Sequence, residues 1–390
     1  LAMALETASY LTLAVGSGVT VLSVGRFIAG VSCGMAFSSV PMFVAEISED
    51  SVRGLLNTLS QLSIGSGSLL MYVVGPYTSY AVLHYIMLGL CAVFFLLFPL
   101  LPRSPYELVM NNQIDQAEKT LMWLRKNRPR SFVVKELQLI QNIVRENEAE
   151  SSSVKELFTS TGNRKALIIC CTLLALQQIS GVTIVFFYSE KIFQMTGSNL
   201  SSSASSIIVG AVMVSSAVIC PVAVKKFGYK KPLLASAAGM ALGMGGLAMF
   251  FILKVNHFEV DSIGWLPLFS IVLYILFFNT GFANIPWALS GELFPGNIKP
   301  IATTLIAATC GSVAFLTSKL FPDLIVLMGI EFLFMACSFF CGIAVLFITL
   351  VVQDTNGLSF VEIQEILNGR KRKHLKITPS VVSRDNTTQI

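Results

Sequence analysis

The stretch IVLYILFFNTGFANIPWALSGELFP, residues 271–295, decides how this chain is to be interpreted. It is apolar and long enough to cross a bilayer, yet Gly281, Asn284 and Pro286 interrupt it. A proline removes a backbone donor and kinks a helix. In lipid such a break is tolerated where it faces protein or a water-filled cavity. The stretch therefore predicts a membrane span, and its break indicates either a kinked packing helix or the lining of a site.

The composition shows that this stretch is one of many similar ones. Hydrophobic residues make up 54% and charged residues 13% of the 390 residues, whereas soluble domains carry about 25% charged residues. Apolar runs of roughly 20 residues, each long enough to span a bilayer, recur along the chain. We expect spans at 1–16, 19–45, 55–75, 82–101, 166–189, 203–224, 232–253, 263–290, 301–321 and 330–352. The prediction is an all-α polytopic membrane protein.

Several classes of function do not fit this pattern. The net charge of +5 does not indicate a nucleic-acid partner, because the basic residues lie between the apolar runs. The eight cysteines all fall inside apolar runs, which is not the pattern of a disulfide framework or a metal site. The sequence contains no zinc-protease or phosphate-loop motif. We therefore expect a protein of the lipid bilayer that is not an enzyme and needs no cofactor.

Residues 102–165 interrupt the series of spans with a polar segment. Apolar residues recur there at helical spacing, which predicts two amphipathic helices. Their apolar faces consist of Ile114, Ala117, Leu121 and Leu124, and of Val133, Leu137, Ile140 and Val144. We expect both faces to dock on the membrane helices. The chain would then divide into 1–101 with four spans, the linker 102–165, 166–352 with six spans, and a tail at 353–390.

The charges of the loops predict the orientation. Basic residues cluster at Arg53, in the linker, at 225–231, at Lys299 and in the tail, whereas the opposite loops hold only Lys254. The positive-inside rule then places the linker and both termini in the cytosol. Many transporters consist of two six-helix halves joined by a cytosolic linker. Since four spans precede the linker here, we expect two further helices before Leu1.

Polar side chains within the apolar runs are candidates for function. Gln177 and Gln178 stand side by side in the first span after the linker, and an unpaired amide in hydrocarbon costs several kcal/mol. They could bind a ligand rich in hydroxyl groups or join neighbouring helices. Gln61 is a further amide in the third span, with the same two possibilities. Arg26 in the second span is a functional candidate that either forms a buried ion pair or extends to the interface.

Several motifs in order along the chain resemble the sugar porter family of the major facilitator superfamily. The similarity covers essentially the whole chain and is greatest to the insect members that carry trehalose and glucose. The motifs are Gly25-Arg26-Phe27-x-x-Gly30; Glu46 with Arg53-Gly54; Pro102-Arg-Ser-Pro105; Gln177-Gln178-Ile-Ser-Gly181 with Tyr188; Gly264-Trp-Leu-Pro-Leu268; Ile285-Pro-Trp287 with Gly291-Glu292; and Asp354-Thr355-x-Gly357.

The resemblance implies the major facilitator fold, with two helical halves around a central cavity, and alternating access to a sugar. It implies that Gln61, Gln177, Gln178 and Trp287 contact the sugar. It also implies a cytosolic charge network that locks the outward-open state. That network consists of Glu46, Arg53, Glu292 and Lys299, to which we add the candidate Arg26.

The sequence departs from the family pattern at several of these positions. Thr183 stands where the family has asparagine after the double glutamine, and Asn279 where it has an acid. Cys310 stands where it has a sugar-contacting asparagine, and Ala283-Asn284 replace a glycine and a proline. We therefore include Thr183 and Asn279 among the candidate substrate-binding residues.

These features predict a facilitative transporter of trehalose or a hexose in the plasma membrane. The departures leave a second interpretation open, a sugar sensor or receptor that does not transport. A proton-coupled sugar symporter is a third.

Overall fold

The computed structural model describes residues 1–126, 128–149, 154–196, 201–295, 298–354 and 367, except for the side chains of 50–55, 57, 58, 61, 146–149, 154–156 and 202. Helices account for nearly all of this part of the chain. They are α1 (Ala2–Val15), α2 (Val19–Ile47), α3 (Asp50–Val74), α4 (Tyr80–Leu97), α5 (Pro105–Met110), α6 (Ile114–Leu124), α7 (Arg130–Ala149), α8 (Val154–Thr159), α9 (Thr161–Ile179), α10 (Val182–Thr196), α11 (Ser202–Ser216), α12 (Ile219–Phe227), α13 (Lys230–Val255), α14 (Leu266–Thr280), α15 (Ile285–Glu292), α16 (Lys299–Met328) and α17 (Ile330–Leu350).

Every predicted span corresponds to a helix or to two consecutive helices. Eight segments of the described chain are long and apolar enough to cross a membrane: Val19–Ile47, Tyr80–Leu100, Thr161–Thr196, Ser203–Phe227, Lys230–Val255, Asp261–Glu292, Lys299–Met328 and Ile330–Leu350. The predicted spans 1–16 and 55–75 correspond to α1 and α3. The expectation of an all-α polytopic membrane protein is confirmed.

Three of the predicted spans are broken into two helices each. They are α9 with α10, α11 with α12, and α14 with α15. The sequence indicated the break before Pro286, because a proline cannot continue the hydrogen-bond ladder. The α11–α12 break is likewise followed by Pro221 in the first turn of α12, whose missing N–H cannot bond the Ala217 carbonyl oxygen. The α9–α10 break contains no proline, and it is a finding of the structure.

The main apolar core lies among the helices that follow the linker. Its largest fully buried side chains include Tyr274 of α14, Phe250 of α13 and Phe334 of α17. Helix α13 packs along both α14 and α17, and the rings of Phe251 and Phe334 stack with centroids 5.8 Å apart. This core gives α9 and α15 a fixed support.

The linker helices α5, α6 and α7 form a second, separate core. Its buried members are Leu108, Val109, Ala117, Leu121, Val133, Leu137, Ile140 and Val144, with Tyr106 and Ile114 packed against them. The two predicted amphipathic helices are thus present with the predicted faces. The expected docking of these faces on the membrane helices was wrong, because the short helix α5 completes a three-helix cluster that buries them against one another.

Polar contacts join this linker cluster to the end of α2. Arg125 is 5% exposed. Its guanidinium donates to the Ile47 carbonyl oxygen at 2.9 Å and lies 2.7 Å from the Glu136 carboxylate. Arg128 pairs with Glu49 at 3.2 Å. We call the end of the bundle that carries the linker cluster the linker end, and the opposite end the distal end.

The helices before the linker meet those after it along α3 and α11. At Gly210 of α11 a Cβ atom would lie 2.9 Å from the Tyr72 ring and 3.2 Å from the Leu69 Cα, so only glycine permits this approach. Tyr72 also donates a hydrogen bond to the Phe186 carbonyl oxygen of α10 at 2.7 Å. Because Tyr72 lies near the end of α3, this contact joins the two groups of helices toward the distal end.

The linker core predicts a local effect of a cavity mutation. Leu121 is fully buried at 0% exposure, so Leu121→Ala should destabilise the linker cluster by about 2–5 kcal/mol. Trypsin should then cleave residues 105–149 faster, as followed by mass spectrometry of the purified protein. The matched control is Met122→Ala, because Met122 is 45% exposed on the same helix. Equal cleavage of both variants would contradict the packing described here.

Candidate functional site

The first candidate site is the break between α9 and α10. Helix α9 ends at Ile179, and Gly181 adopts a φ of 98°, a left-handed conformation that favours glycine. A Cβ atom at Gly181 would also lie 3.0 Å from Met244 Cε and 3.2 Å from Cys337 Sγ. Ser180 Oγ donates to the Gln177 carbonyl oxygen at 2.6 Å. The backbone at the break is thus held by local contacts between α9 and α10.

Gln178 is the centre of a polar cluster beside this break. Its Nε2 donates to Gln177 Oε1 at 3.2 Å and to Cys310 Sγ at 3.1 Å, and its Oε1 accepts from Thr183 Oγ1 at 2.6 Å. The cluster joins α9, α10 and α16. We call these four residues the Gln178 cluster. Thr183 and Cys310 are the residues at which the sequence departs from the family pattern, and the structure places both in contact with Gln178.

The second break, between α14 and α15, is held by Gln177. Gln177 is 3% exposed, and its Nε2 donates to the Phe282 carbonyl oxygen at 2.5 Å. The Phe282 N–H donates to Ser236 Oγ of α13 at 3.0 Å. Both backbone groups of Phe282 therefore have partners, as the interior of a bilayer requires. The Gln177 amide joins the two breaks directly.

The remaining predicted substrate residues lie in different places. Trp287 follows the second break on α15 and is 38% exposed. Asn279 of α14 points to α11, where its Nδ2 donates to Ser216 Oγ at 2.7 Å and to the Met213 carbonyl oxygen at 3.2 Å. Asn279 is thus engaged in a contact between helices. The side chain of Gln61 lies outside the described residues.

The charged residues at the linker end form two groups. In the first, the Tyr229 hydroxyl donates to the Glu292 carboxylate at 2.5 Å, and the Tyr229 N–H donates to Asp354 at 3.0 Å. Lys299 lies close by, since a Cβ atom at Gly291 would be 3.9 Å from Lys299 Nζ. Helices α13, α15, α16 and α17 thus meet here. Partial burial and the bond to Glu292 raise the pKa of Tyr229 above its usual value, so the phenol stays protonated and donates.

The second group lies at the end of α2. The Glu46 carboxylate accepts a hydrogen bond from Ser104 Oγ at the start of α5. The side chain of Arg53 lies outside the described residues. Arg26 is exposed on α2 in the described part of the chain. Long basic side chains can extend to an interface in this way.

The profile of a family described as "Sugar (and other) transporter" matches residues 3–367. The chain belongs to this sugar transporter family. It is therefore a multi-pass membrane protein, and the resemblance stated above is confirmed.

The relatives include insect proteins named facilitated trehalose transporter Tret1. The chain is 34% identical to that of Culex quinquefasciatus over 367 residues, 94% of this chain and 70% of the relative. It is 32% identical to that of Bombyx mori over 371 residues, 94% of this chain and 72% of the relative. The chain is 33% identical to that of Anopheles gambiae over 366 residues, and spans 46% of that longer protein.

Solved structures share the fold of this family member. The xylose transporter XylE of E. coli in an inward-open conformation is 22% identical, with a TM-score of 0.73 that covers 94% of this chain and 82% of that one. XylE bound to 6-bromo-6-deoxy-D-glucose, described as a major facilitator superfamily proton:xylose symporter, gives a TM-score of 0.74 at 22% identity, covering 94% of this chain and 82% of that one. The expected major facilitator fold is confirmed.

Two contacts at these sites were not expected from the sequence. Tyr229 lies in a lysine-rich loop, and nothing in the pattern of residues points to Glu292, 63 positions further along the chain. Arg125 is one basic residue among many in the linker, and its burial follows from the packing of α6 against α7. Of the two, only the burial of Arg125 could have been predicted from the sequence, because Arg125 lies one turn beyond the apolar face that contains Leu121.

The contact of Tyr229 with Glu292 predicts a measurable stabilisation. Tyr229→Phe removes one hydrogen bond to a carboxylate and keeps the ring, so it should cost about 1–2 kcal/mol. The thermal unfolding temperature of the protein in detergent should fall. Tyr77→Phe is the control, because Tyr77 is 76% exposed. A Tyr229→Phe protein as stable as the control variant would show that this hydrogen bond does not stabilise the linker end.

Proposed function

We propose that the protein is a facilitative sugar transporter that works by alternating access. The observation that carries the proposal is the Gln178 cluster, which places amide, hydroxyl and thiol groups at a helix break inside an apolar bundle. Discontinuous spans are where transporters of this kind bind their substrates. Membership of the sugar transporter family supports the same conclusion.

The chemistry of the Gln178 cluster suits a ligand with many hydroxyl groups. An amide donates and accepts, and so does a sugar hydroxyl. In the structure the donors and acceptors of Gln178 are engaged with Gln177, Thr183 and Cys310. A sugar would exchange these contacts for its own, so that no polar group is left unpaired in either state. A thiol is a weak acceptor, so Cys310 is the partner that a sugar hydroxyl replaces most easily.

The predicted residues have two roles in this proposal, contact with the substrate and gating. Trp287 offers an apolar face against which a sugar ring can stack, and Gln177 keeps the two breaks together. The proposed substrate residues are Gln61, Gln177, Gln178, Thr183, Asn279 and Trp287. The proposed gating residues are Arg26, Glu46, Arg53, Glu292 and Lys299. Ionic and hydrogen-bonded contacts at the ends of spans can form and break as the two halves tilt.

The proposed location is the plasma membrane, with the linker end and both termini in the cytosol. This orientation follows from the excess of lysine and arginine in the loops of the linker end. The names of the insect relatives suggest trehalose as the substrate, and the family pattern suggests a hexose as the alternative. The sugar would move down its gradient without an energy source.

The proposal is tested by uptake of labelled trehalose and glucose into liposomes that contain the purified protein. Gln178→Ala should lower sugar uptake about tenfold, since losing one or two hydrogen bonds to the substrate costs about 1–2 kcal/mol. The protein should stay folded, because Gln178 is half-buried and its partners can bond elsewhere. Gln116→Ala is the control, because Gln116 is an exposed amide of the linker cluster.

The outcomes separate the interpretations. Saturable uptake that is lost in Gln178→Ala and kept in Gln116→Ala supports the proposal. Uptake that responds to a pH gradient would replace it with proton-coupled symport. Sugar binding without uptake would replace it with a sensor, and absence of both binding and uptake would overturn it.

A further inference from the structure

The break between α11 and α12 leaves a backbone acceptor without its helical donor. The Ala217 N–H donates to the Val214 carbonyl oxygen at 3.4 Å, three residues back. In a regular α-helix it would donate four residues back, to the Met213 carbonyl oxygen. A carbonyl oxygen within a bilayer needs a donor from the protein. The Met213 carbonyl oxygen therefore depends on a side chain.

Asn279 of α14 supplies this donor. Its Nδ2 donates to the Met213 carbonyl oxygen at 3.2 Å and to Ser216 Oγ at 2.7 Å. The Ser216 hydroxyl donates its own hydrogen within its helix, to the Val212 carbonyl oxygen at 2.5 Å, so it can only accept from Asn279. Both partners of Asn279 are thus acceptors, which places the NH₂ end of the amide toward α11.

Asn284 makes a second contact between the same two broken spans. It is the N-cap residue of α15, and its side chain is hydrogen-bonded to Cys220 in the first turn of α12. Asn279 and Asn284 thus stand on the two sides of the α14–α15 break, and both contact residues next to the α11–α12 break. Both are also positions at which the sequence departs from the family pattern. We call these two residues the asparagine pair.

We infer that Asn279 is a positioning residue, which holds the α11–α12 break against the α14–α15 break through the two hydrogens of its amide. Gln177 joins the α14–α15 break to α9 in the same way. The consequence for transport rests on the proposed function. Helix α15 carries Trp287, and α12 leads to Tyr229, which donates to Glu292 at the linker end. Asn279 therefore fixes the segments between the substrate site and the linker end.

The chemistry of this contact requires a donor, which an ionised acid at position 279 would not supply. A carboxylate only accepts hydrogen bonds, and it would lie against the Met213 carbonyl oxygen, which has no hydrogen to give. A protonated carboxyl group keeps one O–H that can donate. Helix α11 carries no ionisable side chain, so none on α11 would titrate beside a carboxyl group at this position.

The native Cys220 reports on the α11–α12 break, because it is 3% exposed on α12. Its reaction with N-ethylmaleimide in the purified protein can be followed by mass spectrometry of the peptide that contains it. Asn279→Leu keeps an apolar side chain of similar size and removes both donors. It should raise the labelling rate of Cys220 about tenfold, since a hydrogen bond is lost and a carbonyl oxygen is left unpaired.

Asn279→Asp tests whether the amide hydrogens are the part that matters. Its labelling rate, divided by that of the parent at the same pH, should fall as the pH is lowered from about 8.5 to about 5.5, a range in which carboxyl groups shielded from water titrate. At the acidic end the rate should approach that of the parent. Sugar uptake by Asn279→Asp, relative to the parent, should rise over the same range.

Matched controls accompany these variants. Asn256→Asp makes the same substitution at an exposed asparagine beyond α13 and should leave the labelling of Cys220 unchanged at every pH. Cys170 is fully buried on α9, and it should stay unlabelled if the effect is confined to α12. Ser216→Ala removes the shorter of the two bonds, so it should raise the rate by a smaller factor that does not depend on pH. It replaces Asn279→Leu if that variant does not fold.

The outcomes are distinct from those of the uptake assay. Labelling of Cys220 in Asn279→Leu as slow as in the parent would overturn the inference, and so would parallel labelling of Cys170, which indicates general unfolding. Labelling of Asn279→Asp as fast as Asn279→Leu at acidic pH would also overturn it, because a donor is then present. If no protein, the parent included, takes up a sugar, pH-dependent labelling of Cys220 still supports the inference, while the proposed function fails.

Discussion

The pairing of backbone groups at the breaks in the membrane helices is the constraint on which the rest of this structure depends. Within a bilayer an N–H or C=O group cannot turn to water, so each break needs a partner from the protein. Here Gln177 supplies one to the Phe282 carbonyl oxygen, and Ser236 accepts from the Phe282 N–H. The break of α14–α15 is therefore held by α9 and α13. Neither half-helix can move far without leaving polar groups unpaired, and this gives the central site its defined shape.

This constraint explains why two adjacent glutamines have different environments. Gln177 is buried and is engaged with the backbone of the neighbouring break. Gln178 is half-buried, and its partners are the side chains of Thr183 and Cys310. Side-chain partners can rotate away, whereas a backbone carbonyl in a helix junction cannot. Gln177 is thus suited to hold the α14–α15 break in place, and Gln178 is suited to exchange its side-chain partners for a ligand.

Polar contacts at the two ends of the bundle complement this central arrangement. At the linker end Tyr229 joins α13 to Glu292 of α15, so the segment that carries Trp287 is fixed beyond its break. Toward the distal end Lys254 of α13 donates to the carbonyl oxygens of Met195 and Thr196 in α10. Helix α13 spans the bundle between these contacts and packs along α14 and α17. It is the element of the main core to which both half-helices, α10 and α15, are joined.

The sequence by itself determined the class of the fold, because hydrophobicity and span length are local properties that a bilayer selects directly. It also determined the linker helices and the polar positions Gln177 and Gln178. Only the tertiary structure decided that the linker faces pack on one another, that Asn279 bonds α11, and that Tyr229, Lys254 and Arg125 form ties. The physical reason is that these contacts join residues that are 11 to 125 positions apart. Periodicity shows which face of a helix is apolar, but the partner of a polar group depends on which helix the fold brings beside it.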